Sequence, residues 1–234
     1  PLPDGESFLD HARREPGRLR VARFVTPVIG DAEVHAECLA AYDRTSALLS
    51  DLGHDVEDMP APFTYDVVPL FETVWSVLPT LAPVDPSREG DLMPLTRWLR
   101  ERGRSVSGSA FALALVSLQV LARRAVVAMG AYDAVLTPTL AQPPLPVGAL
   151  RDDDDPAADF AAQERFTPWT ALWNLTGQPA VSLPVHRTAD GLPVGVMLAG
   201  RPAGESGLLS LAAQVEAAAG TVWTTGGSAR PAMW

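Results

Sequence analysis

Asn174-Leu-Thr-Gly-Gln-Pro-Ala-Val-Ser-Leu-Pro184 and Gly191-Leu-Pro-Val-Gly-Val-Met-Leu-Ala-Gly200 decide how this chain folds. Their apolar runs, 180–185 and 193–199, flank the turn Thr188-Ala-Asp-Gly191, the pattern of an antiparallel hairpin. Both runs are almost wholly apolar, so both expect cover on each face of a sheet. After the hairpin, Ser206 reads as the N-cap of a last helix that ends before Gly220. Before it, Tyr132-Asp-Ala-Val-Leu-Thr-Pro-Thr139 reads as a buried strand running into a loop, and 107–129 as a long helix stopped by Gly130.

Toward the N-terminus, 19–25 alternates apolar and charged residues as a strand does. A helical pattern over 32–52, carrying Val34, Cys38, Tyr42, Leu48, Leu49 and Leu52, stops at Gly53, and 55–59 reads as a second strand. Residues 18–59 therefore form a βαβ unit with parallel pairing. Residues 60–130 form a helical excursion, cut by seven prolines between Pro60 and Pro94 into turns around 70–78 and 95–102 before the long helix. The stretch 141–165, with Pro143-Pro144 and the acidic run 152–155, is expected to be an exposed loop. The expected fold is one α/β domain over 1–234, a mixed β-sheet flanked by helices.

A formal charge of −10 and a pI near 4.8 oppose a nucleic-acid partner, because such binding rests on cations that displace counterions from phosphates. The apolar helix near 110–129 is interrupted by Ser117, Gln119, Arg123 and Arg124, so no membrane span is expected. No signal-peptide pattern opens the sequence, and one cysteine, Cys38, suits a reducing compartment. These features predict a soluble, cytoplasmic protein with Cys38 as a buried structural thiol.

All eighteen basic residues are arginine; there is no lysine. The four histidines stand apart, none paired at helical spacing with another ligand, so no metal is expected. His35 and His54 flank a helix and are expected to be exposed. No phosphate-cradling loop follows a strand, so no cofactor is expected. Gly103-Arg-Ser-Val-Ser-Gly108 reads as a serine-capped helix entry rather than a nucleophile elbow, and Ser182, alternating with Val181 and Leu183, as a structural strand residue. The acidic quartet lacks the glycine and glutamate of a calcium loop.

The two opening stretches, the Asp133-Ala-Val-Leu-Thr-Pro-Thr139 strand and the 19–54 strand-and-helix unit ending Leu-Gly-His come in the order found in amidase-signature enzymes, and the chain resembles that family over about 18–216. The resemblance implies the C-terminal part of the amidase-signature fold. The family's chemistry is a Ser, cis-Ser, Lys triad with an oxyanion loop of Gly-Gly-Ser-Ser type, and the matching region would lie before Pro1. Gly226-Gly227-Ser228 falls outside the family's order of motifs. Arginine cannot replace a base lysine, because its pKa is too high for it to be held neutral. No catalytic residue is therefore assigned, and the chain alone is expected to be inactive.

What the resemblance does imply is a pocket wall. Within 131–220, the loop before Asn174 corresponds to the family's substrate side, with Leu172 where a proline is usual. Phe166, Trp169, Thr170 and Trp173 would line an apolar or aromatic acyl pocket, with Thr137 at the end of its strand facing the same cleft; the alternative is that the aromatics fill the core. Thr176, Gly177 and Gln178 would form a turn beneath it. The implied function is hydrolysis of a small-molecule carboxylic amide to acid and amine, in partnership with an N-terminal catalytic half, covalently joined or separate. The alternative is a non-catalytic binding or dimerisation domain, a possible homodimer, derived from the same fold. A tRNA-amidotransferase subunit is disfavoured by the acidity and the lack of lysine. The arginine-rich composition suggests a GC-rich bacterial genome.

Overall fold

The computed structural model describes residues 5–63 and 67–220; Gly226, Gly227 and Ser228 lie outside them. Strands β1 (Arg20–Arg23) and β2 (Asp55–Asp58) run parallel and are joined through helix α1 (Ala36–Asp51), whose N-cap His35 accepts the Glu37 N–H. On the other side of β1 lies β3 (Ala134–Pro138), also parallel. The hairpin of β4 (Ala180–Arg187) and β5 (Pro193–Gly200) follows, with β5 antiparallel to β3, giving the order β2-β1-β3-β5-β4. The mixed sheet and the βαβ unit match the expectation from the sequence.

Alternation along each strand splits the core in two. Val21, Ala134, Leu136, Val196 and Leu198 face Cys38, Ala41, Tyr42 and Leu49 of α1 and the inner side of the last helix, α2 (Glu205–Ala219). Ala22, Val135, Met197 and Ala199 face the opposite layer, built from α3 (Val68–Val77), α4 (Gly108–Met129) and α5 (Thr170–Thr176). Beside these lies α6 (Pro94–Ser105), packed on α3. Cys38 is buried, and desolvation pushes its thiol up to about 11.

The structure corrects several expectations. Residues 156–166 are not loop but helix α7 (Pro156–Phe166): Asp155 caps it by accepting the Ala158 N–H, and Pro156 occupies the first turn, where no N–H is required. The acidic run is thus partly an N-cap. Helix α2 starts at Glu205 with Gly204 at the cap, so Ser206 lies inside it without capping. His54 is buried: its Nδ1 accepts the Leu19 N–H, and its Nε2 sits 2.9 Å from Gln214 Oε1. The hairpin has cover on both faces only at β5. On β4, Leu183 packs into the core while Ala180 and Ser182 are exposed, and β4 ends the sheet among the described residues.

Helix α4 shows the same incompleteness. Ala114, Leu118, Ala125 and Met129 are buried along one stripe, yet Leu113, Val116, Val120 and Val127 form a second apolar stripe on the opposite side, exposed. By length and composition alone α4 is long and apolar enough to cross a bilayer, a test that the core helix of a soluble protein also passes. The outer side also carries the exposed Arg123 and Arg124, so it is mixed rather than wholly apolar.

Candidate functional site

Helices α3, α5 and α7 converge on a small pocket of about 130 Å³. Phe71 and Trp75, one turn apart on α3, stack with ring centroids 5.2 Å apart and form one wall. From α7, Phe160 and Glu164, again one turn apart, form the second, and Thr170 and Asn174 of α5 the third. Gln163 and Thr167 line this pocket and also a larger cleft of about 580 Å³, bounded by Met93, Leu95, Leu145, Leu150 and Phe166. The two spaces therefore share a partition, and both are lined largely by apolar surface.

Glu164 dominates its electrostatics. The residue is 9% exposed, and its Oε1 has no hydrogen-bond partner. Burial pushes its carboxyl up to about 7; Glu72 adds to the shift, while Arg102 and Arg165 oppose it. Arg102 is already engaged, 2.9 Å from Glu72 and stacked over Trp98. The other buried acid, Asp159, is satisfied: its Oδ1 accepts from Gln163 Nε2 at 2.6 Å and its Oδ2 from the Asp152 N–H at 3.3 Å.

Of the residues singled out from sequence, Phe166 borders the large cleft and Thr170 the small pocket. Thr170 Oγ1 donates to the Thr167 carbonyl. Trp169 has no exposed surface; it sits in the core with Nε1 donating to the Thr26 carbonyl at 3.2 Å. Trp173 and Thr137 are also buried, and neither Trp173 Nε1 nor Thr137 Oγ1 has a partner. The five thus do not line one cavity. Gly177 ends α5 at φ 68°, a conformation glycine adopts without strain, and Gln178 donates from Nε2 to the Gly200 carbonyl, tying the turn to β5. Glu164 escapes a reading of 141–165 as exposed loop; the i, i+4 spacing of Phe160 and Glu164 is the signal that places both on one helix face.

Among the described residues, no three His, Cys, Asp or Glu side chains come together as a metal site. Ser182 Oγ and Thr139 Oγ1 hydrogen-bond to one another at 2.8 Å on the exposed face of β4.

The family profile described as Amidase matches residues 1–209. The chain belongs to the amidase family. It is 37% identical over 225 residues to the amidase-family protein AmiB2 of Mycobacterium tuberculosis, spanning 93% of this chain and 47% of that protein. It is 30% identical to the 6-aminohexanoate-cyclic-dimer hydrolase of a Pseudomonas species, spanning 87% of this chain and 44% of that enzyme. A solved structure of 6-aminohexanoate cyclic dimer hydrolase shares its fold with a TM-score of 0.82 at 25% identity, covering 95% of this chain and 49% of the other. The chain thus spans about half the length of the relatives it matches. Membership in the family agrees with the sequence motifs, and the mixed sheet is the family's architecture.

Proposed function

We propose that this chain is the C-terminal half of an amidase, contributing the substrate-side wall while a second half supplies the nucleophile and base. The reaction is hydrolysis of a carboxylic amide to acid and amine. The observation that carries this reading is that an amidase-family sequence about half as long as its relatives contains no lysine. A Ser, cis-Ser, Lys triad therefore cannot be assembled from these 234 residues. The outward apolar stripe of α4 and the outer edge of β4, the last strand among the described residues, support it, since each is a surface that a second half would cover.

In this reading Phe166 and Thr170 contact the substrate, while Trp169, Trp173 and Thr137 hold the wall from behind. The DNA directly upstream of the Pro1 codon is the first test. An in-frame stretch encoding a lysine, a Gly-Gly-Ser-Ser loop and a second serine is expected. The 234-residue chain alone should show no hydrolysis above buffer with simple carboxamides and anilides, and the full reading frame should show it. Turnover by the isolated chain would overturn the proposal. The position of β4 as the outermost strand among the described residues favours one other reading, a non-catalytic dimerisation domain. It predicts a discrete dimer of a self-contained gene product.

A further inference from the structure

We infer that the small pocket between α3, α5 and α7 is a binding site for a compact primary ammonium group, with Glu164 as its counter-ion. Three observations meet there. Glu164, only 9% exposed, is a lining residue of the pocket, and its buried Oε1 has no hydrogen-bond partner, which leaves one strong acceptor unused. The stacked Phe71–Trp75 pair and Phe160 surround the same space, and aromatic rings attract cations to their faces. The other polar neighbours, Gln163, Thr167, Thr170 and Asn174, carry oxygens that can accept from an ammonium's other N–H bonds.

A volume of about 130 Å³ holds an alkylammonium of roughly four heavy atoms, taking ~30 Å³ per water-sized group. Trp75 is 39% exposed, so the pocket is reached from solvent on its side. The charges facing Glu164 are Glu72 on α3, Arg102 on α6 and Arg165 on α7. Glu72 is a like charge and Arg102 is paired with it, which leaves the negative charge of Glu164 largely uncompensated. A neutral donor could only hydrogen-bond to that carboxylate; an ammonium also compensates its charge. On binding, the protonated fraction of Glu164 gives its proton to solvent and the carboxylate that remains pairs with the incoming cation.

The inference rests on the amidase reading only for its role there, as the site for an amine-bearing part of the substrate; the binding itself is independent of hydrolysis. The test uses the whole protein encoded by the reading frame, titrated calorimetrically at pH 7 with n-propylammonium chloride in two buffers of different ionisation enthalpy. Propan-1-ol and sodium chloride serve as controls. Saturable binding with release of roughly half a proton is expected, as for a carboxyl near half-protonation. Glu164→Gln should weaken it at least about tenfold and abolish the proton release, and Trp75→Ala should weaken it roughly threefold or more, with Trp75→Phe restoring most of it. The proton count on the unmutated protein needs no variant to fold. No saturation, equal binding of propan-1-ol, or unchanged binding by a folded Glu164→Gln protein would overturn the inference. Amine binding without amide hydrolysis would instead remove the amidase reading and leave this site standing.

Discussion

Gly103 of α6 lies against the carbonyl group of Ser76 on α3: a Cβ at Gly103 would come 2.7 Å from the Ser76 carbonyl carbon and 2.9 Å from Thr80 Cγ2, and closer still to the Ser76 oxygen. Two helix backbones cross there with no room for a side chain. Because α3 carries Phe71 and Trp75, this crossing sets the position of one wall of the pocket. Gly103→Ala should destabilise the protein by roughly 2–4 kcal/mol through forced separation of the helices. Gly108→Ala, at an open position, should cost little. Chemical denaturation of the two variants checks the contrast.

Glu164 gives stability a pH dependence. Its carboxyl titrates near 7 when folded against 4.5 as the ordinary value, so the native state holds the extra proton between those values. Its contribution is therefore favourable at low pH, is lost as pH rises from about 4.5 to 7, and stays lost above that. Glu164→Gln should flatten this decline and raise stability at pH 8 by roughly 1–2 kcal/mol, read from denaturation midpoints at pH 5 and 8.

Trp169 tests support against contact. With no exposed surface and its Nε1 bonded to the Thr26 carbonyl, Trp169→Ala should cost roughly 3–5 kcal/mol, and Trp169→Phe about 1–2 kcal/mol for the lost bond and the unpaired carbonyl. In the proposed whole amidase, Trp169→Phe should lower the melting temperature while leaving KM within about twofold, as expected of a residue behind the wall.

Phe166 predicts the opposite split. It is half-buried at the rim of the large cleft, so Phe166→Ala should change KM for amides with apolar acyl groups by roughly fivefold or more, with a smaller stability loss than Trp169→Ala. Steady-state kinetics on an acyl-length series measures it.

The outer stripe of α4 should govern association. Leu113, Val116 and Val127 are 68%, 56% and 73% exposed, so the isolated chain should self-associate at micromolar concentration. Val116→Glu with Val127→Glu should suppress this in sedimentation experiments. If a second half covers the stripe, as proposed, the same pair should block assembly or activity of the whole protein.

Local patterns fixed much of the architecture. The alternation of 19–25, the helical period ending at Gly53 and the turn Thr188-Ala-Asp-Gly191 specify their elements through contacts within a few residues, and the absence of lysine rules out the triad without any coordinates. Neighbouring residues also held the signal for α7, but the charges of Asp152 to Asp155 concealed an N-cap followed by proline. Which aromatics reach solvent was not local. Phe166, Trp169 and Trp173 are equivalent in composition, and only the packing of α5 against the sheet buries the two tryptophans and leaves Phe166 at a rim. The pairing of Glu164 with Phe71 and Trp75 across more than 85 positions of chain was likewise decided by tertiary structure. Burial and cavity shape are sums over distant elements, whereas turns, caps and periodicity are properties of the neighbours in sequence.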